Sequence, residues 1–339
     1  QNLNAIKDEI SQIRTLYVNA IALTPICSND AINSSFNPND PYASINFSEL
    51  DKSIGKEEDL KNLIETVHQN KMKILLEFDI SYTGPNHPWR TKKPDYYKSS
   101  EQKINDLYNP QYIQLNFDNP KVRKAVLKAL NYWKSKFSID GIILLNTEAL
   151  PKDFCETLSN ELKTKEFLLG SGSYCPDMLK SNTFDVCFNT KLYDELKKIS
   201  TNEAKASAFK DLIEASSSLP FKGTIINYSR NAKVNLTDLP ENQIFPYYYK
   251  LPAIISIMMS GIPWILNGQE EPMFEKLDVK KPSFLTRNYQ YCLEMYRGIL
   301  IHRRENGALF SLENNNPEII TDSEEVLAFE RKIGSASIV

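Results

Sequence analysis

Apolar residues at Leu3, Ile6, Ile10, Ile13 and Leu16 recur at the spacing of one helix face and predict a first helix over 3–16. A short apolar run over 20–24 follows, and Pro25 ends it. The same alternation of helical and short apolar segments continues along the chain. Helices are predicted over 57–69, 120–137, 152–162, 192–199, 204–215, 251–259 and 284–304, and strands over 74–80, 139–145, 167–170, 184–188, 224–227 and 263–267. Asn119 before Pro120 is a strong helix start, because the amide caps the first turn and proline needs no N–H there. The Ser-, Asn- and Pro-rich stretch from residue 25 to 53 reads as a long loop beyond a strand end. Residues 81–118 turn polar and rich in Tyr and Lys, and read as a small inserted lobe. After residue 305 the pattern switches to short segments over 308–312, 318–321 and 326–331 between Asn, Asp and Pro turns, which is an antiparallel β pattern.

Strict helix–strand alternation requires a parallel sheet with crossover helices. Seven such strands and a missing or cut first one predict a (β/α)8 TIM barrel over 1–305, followed by the truncated beginning of a C-terminal β domain over 306–339. A doubly wound sheet shares that period. Gln1, with no starting Met and no signal-peptide pattern, reads as a cut end.

Charge and composition narrow the function. The chain of 339 residues carries 40 Lys+Arg against 43 Asp+Glu, a formal net charge of −3, so no basic field gathers nucleic acid. The longest nearly apolar run, 251–266, falls short of the ~20 residues a bilayer helix needs and is broken by Pro252, Gly261 and Pro263. Cysteines at 27, 155, 175, 187 and 292, and histidines at 68, 87 and 302, stand at no metal-ligand spacing, so neither a metal nor another cofactor is expected. The sequons at Asn33, Asn46, Asn227 and Asn235 would be glycosylated only in an extracellular domain. Asn33, Asn46 and Asn235 are the better candidates, since Asn227 falls at a strand end. Cys175 and Cys187 are a candidate pair in that same setting.

Three motifs carry a resemblance. Ile74-Leu75-Leu76-Glu77-Phe78 is followed by His87-Pro88-Trp89; Asp140-Gly141 leads an apolar strand after Asn119-Pro120; and Gly261-Ile262-Pro263-Trp264 runs on to Asn267-Gly268-Gln269-Glu270. In order and spacing these resemble the α-amylase superfamily of glycoside hydrolases over nearly the whole chain. That superfamily ends its third strand with Asp and, four and five residues on, Asn and His; here Glu77, Ser81 and Tyr82 stand there. After Asp140-Gly141 its Arg and nucleophilic Asp are replaced by Ile143 and Leu145. Its acid-bearing Gly-Glu corresponds to Gly170-Ser171, and its Asn-His-Asp to Asn227-Tyr228-Ser229.

Retaining glycosidases need two carboxyl groups roughly 5 to 5.5 Å apart, and neither leucine nor serine can attack or protonate as they do. The resemblance therefore implies a site that has lost catalysis, and a calcium site weakened by Ser81. Other carboxylates near strand ends, Glu77, Asp79, Glu148, Asp177 and Glu270, are the alternative that would rescue it. The tyrosines Tyr96, Tyr97, Tyr247, Tyr248 and Tyr249 could stack sugars or simply pack, and His87 with Trp89 is read as fixing the inserted lobe.

An amylase-type barrel without its catalytic set also resembles the heavy subunits of heteromeric amino acid transporters, most closely over 140–150, at Gly170-Ser171 and over 261–270. That resemblance implies a non-enzymatic type II glycoprotein of the plasma membrane. An upstream helix would anchor it, with this chain extracellular. Its partner would be a multi-pass transporter light subunit, disulfide-linked through a cysteine upstream of Gln1. The alternatives are an α-glucosidase-like hydrolase and a free carbohydrate-binding or adhesion protein.

Overall fold

A computed structural model of the chain describes residues 2–29, 40–98, 113–217, 223–246, 250–270, 290–310, 317–321 and 323–339. The sequon at Asn33, the three tyrosines Tyr247, Tyr248 and Tyr249, and residues 99–112 of the expected lobe lie outside them. The described residues divide into two compact units, 2–173 and 174–339.

In the first unit four parallel strands, Ala20–Leu23, Lys73–Asp79, Gly141–Leu145 and Leu168–Ser171, pair in chain order. The second and third are buried along nearly their whole length, which is why they read as continuous apolar runs rather than alternating ones. Their crossover helices start where the sequence says they should. The Asn2 side chain accepts from the Ala5 amide at 2.8 Å ahead of the helix Leu3–Arg14. Asp59 reaches back to the Lys56 amide at 2.7 Å ahead of Glu57–Gln69, and Asn119 accepts from the Lys121 amide at 3.0 Å ahead of Pro120–Lys136. The last of these helices buries Val122, Val126, Ala129, Leu130 and Trp133, and the Trp133 indole donates to the Phe47 carbonyl at 2.6 Å.

The stretch read as one long loop holds an antiparallel pair, Cys27–Asn29 with Ser44–Leu50. Only Ser44, Phe47 and Leu50 of the longer strand are buried, so its alternation is irregular and its sequence signal weak. Within the expected lobe, Tyr82–Thr83 pairs antiparallel with Ile113–Gln114, and His87, Trp89 and Tyr96 meet edge to face in series at centroid distances of 4.6 and 5.1 Å. The His87 Nδ1 accepts from the Trp89 amide, and burial, aided by Arg90 and Lys93, lowers His87 to about 4. At pH 7 it is a neutral packing residue.

Asp140, just before the strand Gly141–Leu145, ties that strand to Lys73–Asp79. It accepts from Lys73 Nζ at 2.6 Å and from the Ile74 amide at 2.9 Å, and lies 2.8 Å from His68 Nε2. Burial works against its charge, but these hydrogen bonds outweigh it and hold the carboxyl below its usual range. With the folded value depressed, the stabilisation is present above the unfolded value and is lost as pH falls through the folded one. Asp140→Asn is expected to lower stability by about 1–2 kcal/mol at pH 7. Urea unfolding at pH 7 and pH 3 should show the gap from the parent chain narrowing in acid.

The second unit carries three further parallel strands, Val186–Phe188, Thr224–Tyr228 and Ile262–Trp264, again paired in chain order. Its antiparallel sheet has the order Glu318–Ile319, Phe329–Ile333, Ala336–Ile338. Residues 308–312, expected to be a strand, are helical as far as they are described, in the turn Gly307–Phe310, because Asn306 caps the Ala308 amide at 2.9 Å. Two buried arginines fasten this end of the unit. Arg303 donates to the carbonyls of Ile257, Met259 and Gly261, and Arg331 to those of Met258 and Met259. The expected set of seven parallel strands and the switch to an antiparallel sheet are therefore both present.

Candidate functional site

In the first unit the chemistry gathers where Lys73–Asp79 and Gly141–Leu145 end. The register sets Glu77 beside Ile143 and Asp79 beside Leu145, so Asp79 is the strand neighbour of the residue at the superfamily's nucleophile position. Ile143 and Leu145 are both buried. Leu145 packs so closely on Gly172 that a Cβ there would lie 2.3 Å from Leu145 Cδ2. Its side chain fills space between strand ends, which explains a leucine where a polar group was expected.

The turn after Leu145 distributes the polar groups. Asn146 is left-handed, with φ 50°, a conformation asparagine tolerates better than most residues. That geometry turns its amide onto Asp79 Oδ2. Asp79 Oδ1 accepts from the Ser81 amide at 3.0 Å and the Ser81 hydroxyl at 2.5 Å. Asp79 is only 2 % exposed, so donors on both oxygens fix which way it faces. Glu77, also buried, accepts from the Tyr42 hydroxyl at 2.8 Å. Tyr82 is fully buried.

On the other side of the same turn, the Thr147 and Ser171 hydroxyls meet at 2.6 Å. Ser171 also donates to the Ser173 carbonyl and accepts from the Ser173 amide. Its hydroxyl is thus occupied in holding the loop beyond its strand. Ser173 donates through its own hydroxyl to Glu148, an exposed carboxylate. The turn 146–148 therefore serves two carboxylates, Asp79, which its Asn146 holds, and its own Glu148, held from Ser173.

The second unit has its own polar cluster. Asn227 is buried, its carbonyl oxygen accepting from Asn189 at 2.9 Å and its amide donating to the Ser260 carbonyl at 2.7 Å. Tyr228 stacks on Tyr193 at 5.5 Å, and burial drives its hydroxyl above the ordinary range. Ser229 accepts from Gln269 Nε2 at 2.6 Å, and the same nitrogen donates to Glu241 Oε1 at 3.1 Å. Burial pushes Glu241 up to about 7, against the opposing pull of Arg230 and the Gln269 hydrogen bond.

Of the expected acceptors of sugar, Asn46 is exposed, whereas Asn227 and Asn235 are buried; Asn235 receives Arg230 on its carbonyl oxygen and has no room for a glycan in the folded chain. Cys175 and Cys187 are free thiols, and the Cys175 side chain and burial hold the Cys187 thiol well above its ordinary range. Among the described residues no group of acidic, histidine and cysteine side chains could hold a metal ion, and no helix is long and apolar enough to cross a membrane. Sequence reasoning missed Tyr42, Asn146, Glu241 and Gln269. An Asn directly after an apolar strand was a usable signal for the left-handed turn; nothing local marks Glu241 as buried.

Residues 2–112 match the family described as "Alpha amylase, catalytic domain". The chain is 26% identical to Alpha-amylase 3 of Dictyoglomus thermophilum, an alignment covering 68% of this chain and 46% of that protein. It is 21% identical to the intracellular maltogenic amylase of Bacillus subtilis over 100% of this chain and 61% of that protein. The chain thus spans about half the length of these relatives. Among solved structures, the maltogenic α-amylase AmyB of Thermotoga neapolitana superposes with a TM-score of 0.84 at 18% identity, over 98% of this chain and 79% of that one. The cyclic α-maltosyl-(1→6)-maltose hydrolase of Arthrobacter globiformis gives 0.80 at 17%, over 98% and 80%. The chain has the α/β barrel-type fold of these α-amylases, with antiparallel strands at its C-terminal end.

These likenesses overturn the transporter reading. The relatives are named as amylases, not as heavy subunits of amino acid transporters. The light-subunit partner linked by an upstream cysteine, the type II membrane anchor and the plasma-membrane location all rested on that resemblance and are withdrawn with it. So is the conclusion that the chain is no enzyme. The shared segments over 140–150 and 261–270 belong to the barrel frame, which hydrolases have in common with it, and a frame does not specify a function. The loss of Arg and Asp at 143 and 145 was moreover read position by position, whereas the folded chain sets Asp79 directly beside Leu145.

Proposed function

We propose that this chain is a glycoside hydrolase domain acting on α-linked glucose oligosaccharides, with Asp79 and Glu148 as its acid–base carboxylates. The observation that carries the reading is that the one turn ending Gly141–Leu145 serves both groups: its Asn146 holds Asp79 of the neighbouring strand, and Glu148 is part of it. The substrate class comes from the relatives, which are named for amylase and maltosyl chemistry. Buried Asp79, oriented by donors on both oxygens, suits a carboxylate that must stay in one position. Exposed Glu148 suits a group that exchanges protons with a leaving oxygen or with water.

The test is to incubate the chain with maltohexaose and, as control, with cellohexaose, and to follow new reducing ends. Release from the α-linked oligomer alone is expected. Binding of maltohexaose without release would remove the hydrolase reading and leave a sugar-binding domain, and indifference to both would remove the substrate class as well.

A further inference from the structure

Among the described residues, five that are not glycine have a left-handed backbone: Tyr17, Lys71, Asn146, Asn182 and Asn202. All but Asn146 are exposed and stand just past a helix, after Leu3–Arg14, Glu57–Gln69, Pro176–Lys180 and Thr190–Ser200, where a chain leaving a helix commonly adopts this conformation. Asn146 is the exception. It is buried and follows a strand, Gly141–Leu145, so no helix end accounts for it. A left-handed residue of this kind persists only where its surroundings fix it, and such positions cluster at functional sites.

The kink has a geometric consequence. Side chains alternate between the faces of a strand, and the register places Asp79 beside Leu145 on one face, so an extended residue 146 would point to the other. The left-handed turn brings it back, and its amide donates to Asp79 Oδ2. Ser81, two residues beyond Asp79, supplies its amide at 3.0 Å and its hydroxyl at 2.5 Å, both to Oδ1. The torsion that sets a carboxylate plane is broad, so donors on one oxygen leave the other free to swing. The bond from Asn146, which comes from the neighbouring strand, holds that second oxygen. The turn itself is closed by the Ala149 amide, which donates to the Asn146 carbonyl at 3.0 Å, so Glu148 rides on the same closed turn.

We infer that Asn146 is a positioning residue of the hydrolase site: its side-chain amide, brought round by the left-handed turn, holds Asp79 in the orientation in which that carboxylate reacts. The assignment rests on the reading of Asp79 as an acid–base group. Asn146 touches no reacting atom in this role and acts through Asp79 alone. Losing the amide should therefore slow turnover and leave substrate affinity as it is, because a misdirected acid–base group weakens the transition state and not the ground-state complex.

The experiment compares the full chain with Asn146→Gly and Asn146→Ala in the release of reducing ends from maltohexaose, at matched folded fraction. Glycine keeps the left-handed turn without strain and removes only the amide, whereas alanine removes the amide and strains the turn. Both variants are expected to lose about 10- to 100-fold in kcat with KM nearly unchanged. In an Asp79→Asn background, Asn146→Gly should cost little further, because the group it orients is gone. Asn146→Gly at the parent's kcat would mean that only the backbone turn matters; it would overturn the assignment and leave the hydrolase reading standing. An equal loss in both backgrounds, or a raised KM at unchanged kcat, would overturn it as well, since the amide would then act apart from Asp79. A parent chain without turnover would instead remove the hydrolase reading, and this assignment with it.

Discussion

Replacing Asp79 by Asn, or Glu148 by Gln, should lower the release of reducing ends from maltohexaose by about 100-fold or more, the range that positioned acid–base groups contribute. The two changes are expected to differ in their side effects. Glu148 is exposed and meets Ser173, so Glu148→Gln should leave the unfolding temperature nearly unchanged. Asp79 is buried and accepts from Ser81 and Asn146; an asparagine amide facing those donors leaves at least one without an acceptor, and a loss of about 1–3 kcal/mol follows. Rates compared at matched folded fraction separate the two effects. If either variant turns over as fast as the parent, that carboxylate has no part in the chemistry. Ser171→Ala is the companion control, because its hydroxyl holds the loop through Ser173 and Thr147 and has no assigned role with the substrate.

Glu241 predicts the other large effect. Its folded pKa of about 7 is raised from an ordinary 4.5, so the folded state binds its proton more tightly than the unfolded state does. No penalty exists below the unfolded value. It grows as pH rises between the two values and is complete above the folded one, where it amounts to roughly 3 kcal/mol for a shift of this size. Glu241→Gln keeps an acceptor for Gln269 and cannot ionise. The variant should match the parent near pH 4.5 and exceed it in stability at pH 8, by guanidinium unfolding across that range. A gap that does not change with pH would mean that Arg230 already neutralises the carboxylate in the folded chain.

Much of the barrel frame was legible because long amphipathic helices and fully apolar strands write their period directly into the chain. Helices Glu57–Gln69 and Lys152–Leu162 fall at the residues the pattern assigns, and the others within a few residues as far as they are described. The failures lie where local pattern and tertiary context separate. The hairpin of Cys27–Asn29 with Ser44–Leu50 alternates irregularly, since only three residues of its longer strand face the interior. Residues 307–310 turn into a helix because one Asn side chain caps them.

The site divided in the same way. Which residue types occupy the strand ends was plain from the sequence, including the loss of polar groups at Ile143 and Leu145. Reading those positions one by one led to a dead barrel and on to a transporter subunit, because a linear pattern says nothing about the neighbour across a strand.

What the sequence determined by itself was the alternation of helices and strands, the switch to an antiparallel sheet, and the residues at each strand end. These depend on spacing within a few turns of chain. Only the tertiary structure decided that Asp79 lies beside Leu145, that the turn at Asn146 reaches Asp79, that Glu148 meets Ser173, and that Glu241 is buried enough to hold a proton near neutrality. Strand register and desolvation join residues far apart in the chain, and no local pattern encodes either.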